Sequence, residues 1–192
     1  MITTNIAFAR AKHLVCETFL IKAVEGVDVQ DFTWECPLGV TEVEVELWGA
    51  GGHGGQSSYG AQSATGGRAG QKVVETVCVV QGEKYPIYIG RAAKGLGENK
   101  GNGEASTAFS LVANGGEAGK PDNEGVEYSH CYGETGYQLG GVKAYPNYND
   151  HSPVTRGGIA AGGHASVKEN SYDSEHRPTM GGDGICIIKY YV

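Results

Sequence analysis

The chain has 192 residues, of which 32 are glycine, far above the ordinary share of about 7%. Its formal net charge of −7 argues against nucleic acid as the main partner, because phosphate binding wants a basic stripe, so no nucleic-acid partner is expected. The lack of a strict Gly-X-Y repeat excludes collagen, 11 tyrosines exclude a disordered Gly/Ser linker, and no run of 18 apolar residues exists for membrane insertion.

Residues 1–29 read as a short N-terminal arm whose only glycine is Gly26. Leu14, Val15, Thr18, Ile21 and Val24 recur at roughly helical spacing, while Phe19-Leu20-Ile21 reads equally as a strand. Arg10, Lys12, His13 and Glu17 interrupt the apolar stretch from Met1 to Leu20, which spoils a signal-peptide core. Removal of residues 1–28 is expected to leave a folded body.

The pattern changes at residue 30. Gln30 to Glu35 alternates polar and aromatic side chains, as a half-buried strand does. After a turn at Cys36-Pro37-Leu38-Gly39, Val40 to Trp48 alternates with Val43, Val45 and Leu47 on one face. Glu42, Glu44 and Glu46 occupy the other face and read as solvated. A glycine-rich stretch from Gly49 to Gly70 precedes a strand at Lys72 to Val80, which turns at Gln81-Gly82 into a partner at Tyr85 to Ile89. Ala105 to Ala113 reads as one short strand, and Gly184 to Val192 as a buried closing strand. The fold class expected is all-β: a sandwich or jelly-roll-like body over residues 30–192 with long glycine-rich loops. The irregular region from Asn114 to Gly182 is too long for an ordinary loop and must be ordered by itself or by neighbouring chains. Glycine offers a mechanism, since extended segments without Cβ atoms pack closely and bond backbone to backbone.

Catalytic and ligand motifs read poorly. Gly49-x-Gly51-x-x-Gly54 follows a strand, with Glu75 further on, as in a dinucleotide fingerprint. That fingerprint needs a helix to hold the pyrophosphate, and residues 55–70 show no apolar period. The six histidines (His13, His53, His130, His151, His164, His176) never occur as His-x-His or His-x-x-x-His, although one per chain on a symmetry axis leaves a metal open. Asp173, Glu175 and Asp183 give no definable carboxylate pair, and no Gly-x-Ser-x-Gly is present. Neither catalysis nor a cofactor is expected. Cys16, Cys36, Cys78, Cys131 and Cys186 read as reduced, mostly buried thiols. Tyr128, Tyr132, Tyr137, Tyr145, Tyr148 and Tyr172 lie among glycines and asparagines, the composition of adaptable recognition loops. They are the candidate receptor-binding residues; packing of the long region onto the body is the alternative.

Phe32-Thr33-Trp34-Glu35, the turn Pro37-Leu38-Gly39-Val40-Thr41, the alternating strand and Trp48-Gly49-Ala50-Gly51-Gly52 together resemble a recurring glycine-rich domain. Gly66-Gly67-Arg68-Ala69-Gly70, Tyr85 to Gly90, Gly101 to Ser106, Ala113 to Gly116 and Gly181-Gly182-Asp183-Gly184 extend the resemblance over roughly residues 30–192. Such domains occur in bacteriophage tail-fibre tips and adhesins, other virion proteins and some bacterial surface proteins. The resemblance implies glycine segments packed as polyglycine-type helices, with variable loops that touch a host receptor. This chain lacks long uninterrupted glycine runs, so isolated glycine-lined turns are the alternative.

The expected function is a phage virion structural protein, a tail-fibre or tail-tip adhesin component assembled in the host cytoplasm. It would be a homo-oligomer, with a trimer favoured, joined to other virion proteins through residues 1–29. Loops between residues 114 and 182 would meet a host surface glycan or protein. A capsid or tail decoration protein without a receptor role and a carbohydrate-binding module are the alternatives.

Overall fold

In the computed structural model, residues 12–24, 27–55, 65–93, 101–120, 159–162 and 180–192 are described. They form the strands β1 (Leu14–Phe19), β2 (Lys22–Val24), β3 (Val27–Val29), β4 (Asp31–Glu35), β5 (Glu42–Trp48), β6 (Lys72–Cys78), β7 (Lys84–Tyr88), β8 (Ser106–Ala108), β9 (Leu111–Ala113) and β10 (Ile185–Tyr191). Two four-stranded antiparallel sheets, ordered β1-β10-β5-β6 and β4-β7-β8-β9, pack as a sandwich, and β2-β3 is a separate hairpin. No helix occurs among the described residues.

The period-two pattern of β5 explains the interior. Val43, Val45 and Leu47 are buried; Val45 and Leu47 meet Ile188 and Cys186 of β10 across the register, and Val43 and Tyr190 belong to the same core cluster. The other sheet contributes Trp34, Ile87, Ala108 and Ala113. Trp34 is the hub: its ring lies 5.9 Å from Tyr85, 5.8 Å from Phe109 and 5.7 Å from Tyr190. Edge-to-face and tilted contacts of this kind add to the area that aromatic rings bury.

One open reading is decided here and two expectations are corrected. The first concerns the arm, which reads equally as helix or strand. Leu14, Val15 and Thr18 lie in a strand, because β1 adds to the margin of a sheet beside β10. Glu17 of this strand accepts hydrogen bonds from Trp34 Nε1 at 3.0 Å and Tyr190 Oη at 2.5 Å. Burial, and then the neighbouring Glu17 carboxylate, push the Tyr190 hydroxyl up to about 12. Removing residues 1–28 therefore removes a strand of the body.

The second concerns the 105–113 segment, which is a hairpin, β8 and β9, turning at Phe109 with φ 57°. A bulky residue in this region is rare, and the Tyr85 ring 4.8 Å from Phe109 holds it there.

The third is Glu46. Glu42 and Glu44 are exposed as expected, but Glu46 is only 9% exposed. It accepts from Trp48 Nε1 at 3.0 Å and pairs with Lys72 at 3.0 Å and Lys189 at 3.8 Å. Burial alone would raise its carboxyl, but those hydrogen bonds and both lysine charges outweigh it and hold the group below the usual glutamate value.

The thiols are likewise divided. Cys36 and Cys186 are buried, whereas Cys16 and Cys78 are exposed.

Candidate functional site

At one end of the sandwich, β5 and β9 run out of their sheets while β6, β8 and β10 enter theirs. The segments attached there, 49–55, 65–71, 101–105, 114–120 and 181–184, together with 159–162, form a second body built from backbone.

Its order is a period of three. The amides of Gly49, Gly52 and Gly55 donate to the carbonyls of Gln71, Arg68 and Thr65 at 3.1, 2.9 and 2.9 Å. Those of Ala50 and His53 donate to Glu104 and Gly101 at 3.0 and 3.4 Å, and Gly51 donates to Gly182 at 2.8 Å. Consecutive residues thus reach three different neighbours, and the same neighbour is met again three residues later. The segment 65–71 repeats the rule, with Thr65, Arg68 and Gln71 donating to Lys120, Glu117 and Asn114 at 3.0, 2.9 and 2.8 Å. Gly116 and Gly119 donate back to Ala50 and His53 at 2.8 and 2.7 Å. A polyproline-II-type helix has this repeat: three residues per turn, with every amide turned outward. The polyglycine-type packing implied by the resemblance is thus present without long glycine runs, and isolated glycine turns do not describe it.

Close approach, not unusual backbone angles, is what requires glycine here. A Cβ on Gly70 would run into the carbonyl of Gly49, and one on Gly51 into the carbonyl of Ala161. Among the described glycines only Gly39 and Gly82 have positive φ, and both lie in turns away from these segments.

The Gly49-x-Gly51-x-x-Gly54 spacing is accounted for in the same way. Gly49 and Gly51 close on backbone carbonyls instead of opening toward a phosphate, no helix follows among the described residues, and Glu75 lies inside β6. His53 is buried in the lattice with Nδ1 2.6 Å from the carbonyl of Gly54. No group of three or more metal-ligating side chains occurs among the described residues. Asp183 serves the fold, accepting from the Ala92 amide at 2.9 Å.

Glu104 anchors the lattice to the sandwich. Its Oε2 accepts from Gln30 Nε2 at 2.8 Å, Tyr88 Oη at 2.8 Å and the Arg91 amide at 3.0 Å. Burial raises this carboxyl, yet the three donors and the Arg91 charge prevail and keep it low. Burial and the adjacent carboxylate raise Tyr88. Arg91 also pairs with Asp28 at 3.7 Å, which ties β3 to the same place.

The far end of the lattice is the candidate site. Gly55 and Thr65 are joined at 2.9 Å, Thr65 and Lys120 at 3.0 Å through the backbone, and the Lys120 amide reaches Thr65 Oγ1 at 2.7 Å. Gly101, bonded to His53, completes this end. The roots of three connections, 56–64, 94–100 and 121–158, are therefore gathered on one hydrogen-bonded platform. Tyr128, Tyr132, Tyr137, Tyr145, Tyr148 and Tyr172 lie outside the described residues, as do His130, His151, His164, His176, Cys131, Asp173 and Glu175. The roots themselves, Thr65 and Lys120, were not singled out by sequence reasoning. The recurrence of Gly49, Gly52 and Gly55 at every third position was the available signal.

The profile of a family described as a glycine-rich domain matches residues 27–185, well over half of the chain. A search of curated proteins finds no match.

Proposed function

This chain belongs to the glycine-rich domain family, and from that premise we propose that it is a phage virion structural protein, a tail-fibre or tail-tip adhesin component. It contacts the host surface through segments rooted at the far end of its lattice, self-associates, and joins other virion proteins through its N-terminal residues. The observation that carries this reading is the gathering of the roots of three connections at Gly55, Thr65, Gly101 and Lys120. Loops on a rigid platform vary in sequence without disturbing what holds them, the arrangement that recognition surfaces use.

The segment that leaves at Lys120 carries Tyr128, Tyr132, Tyr137, Tyr145 and Tyr148. Tyrosine offers large contact area at small entropic cost and suits both sugar and protein surfaces. Replacing Tyr145 and Tyr148 together by alanine is expected to reduce adsorption to host cells about tenfold or more, as loss of central aromatic contacts does. The circular dichroism spectrum should be unchanged. Unaltered adsorption by the folded double variant would remove these loops from the contact and leave a decoration role.

A further inference from the structure

We infer that the outer edge of β1 pairs with the same edge of a second copy of this chain, antiparallel about a two-fold axis at Cys16. The inference gives a geometry to the self-association in the reading above and rests on it for that point only.

Among the described residues, β1 has a single hydrogen-bonded strand neighbour, β10. His13 and Val192 exchange both backbone bonds, at 2.9 and 3.0 Å, and this fixes the phase of the ladder. His13, Val15, Glu17 and Phe19 direct their amides and carbonyls to β10, so Leu14, Cys16 and Thr18 direct theirs outward. The side chains of Leu14, Cys16 and Thr18 are exposed and none is charged.

The other sheet margins are blunted. β6 places Glu75 in line with Val73 and Val77, toward the core side yet exposed; β4 carries Asp31 and Glu35; β9 has only three residues. β1 has one charge, Glu17, and Trp34 and Tyr190 engage it on the inner side. What remains is a six-residue margin that, among the described residues, carries no charge on its outer side to repel a partner strand.

A second copy suits this margin by its register. With Cys16 on the axis, Leu14 faces the partner's Thr18 and Val15 faces the partner's Glu17, so no like charges are opposed. Val15 and Phe19, half-buried at this side of the core, and Leu14, 58% exposed, gain cover. An antiparallel pair uses each edge once and closes on itself, so the assembly is a two-fold dimer in place of the trimer the resemblance favoured.

Sedimentation of the 192-residue chain is expected to give about twice its 20.1 kDa mass. A short bifunctional thiol reagent should join Cys16 to the partner's Cys16, identified by peptide mass, and Cys16→Ser should lose the cross-link while keeping the dimer. Cys16→Glu sets like charges on the axis while Lys189, its register neighbour, accommodates it within the sheet. Thr18→Pro removes an outward amide without touching the ladder to β10. Both variants, checked for native circular dichroism, should sediment as monomers. A wild-type monomer, or folded variants that keep the wild-type mass, would overturn the pairing. A monomer that still adsorbs to host cells overturns the pairing alone; a Cys16-linked dimer that fails to adsorb overturns the host-contact reading alone.

Discussion

The sandwich and the lattice are stabilised by opposite means. In the sandwich, side chains fill the space between sheets, and Trp34, Leu47 and Ile188 are almost completely buried. In the lattice, the absence of side chains lets segments approach until a carbonyl occupies the place of a Cβ, and backbone bonds radiate in three directions. One region tolerates exchange of similar apolar residues, the other tolerates almost no side chain at its contact positions. The bonds between the described lattice segments run from backbone to backbone, so they ask of those positions a small residue rather than a particular side chain.

The largest effect should come from a lattice glycine. Gly70→Ala places a methyl group against the backbone of Gly49, which cannot rotate away, and is expected to lower stability by about 5 kcal/mol or abolish folding. Gly39→Ala is the control: its φ of 82° is unfavourable for alanine, but nothing lies within 4 Å, so the loss should be about 1–2 kcal/mol. Equal urea midpoints for the two variants would break the distinction between close approach and backbone angle.

In the sandwich, Trp34→Ala should lower stability by about 3–5 kcal/mol through the cavity left among Tyr85, Phe109 and Tyr190. The lattice amides should keep their exchange protection relative to global unfolding if the regions are separately held.

How the two regions appear in the sequence follows from the same difference. Strands with one buried face leave a period of two, so β5 and β10 were legible almost to the residue. β1 was ambiguous because an edge strand with Glu17 turned inward lacks a clean alternation. The β8–β9 hairpin was hidden because its turn uses Phe109 and Ser110 instead of glycine or asparagine. Glu46 looked like its neighbours Glu42 and Glu44; only the register that brings Lys72 and Lys189 beside it made burial feasible. The lattice was the hardest to read. Its bonds join backbones, so partners such as Gly52 and Arg68 leave no complementary side-chain pattern, and the recurrence at Gly49, Gly52 and Gly55 is echoed elsewhere only by pairs such as Gly67/Gly70 and Gly116/Gly119.

Smaller effects sharpen the contrast further. Glu46 in the sandwich and Glu104 at the lattice base both have folded-state carboxyls below the ordinary 4.5. Their contribution is complete above that value and is lost as pH falls through the lower folded values, because the unfolded chain takes up the protons first. Urea midpoints should therefore fall below pH 4.5, and Glu46→Gln should flatten that decline. Smallest of all, alkylation of the native protein should label Cys16 and Cys78 and spare Cys36 and Cys186. Burial pushes the Cys186 thiol up to about 12, and burial followed by the Glu83 charge raises Cys36. Labelling of Cys186 before unfolding would show a looser core than the sheets imply.

Amide hydrogen exchange tests most directly whether the glycine segments form a bonded scaffold. Gly52, Gly70 and Gly116 donate to Arg68, Ala160 and Ala50 in the native lattice. They should exchange as slowly as the central amides of β5 and β10. Fast exchange at those glycines, with β5 and β10 still protected, would contradict the lattice.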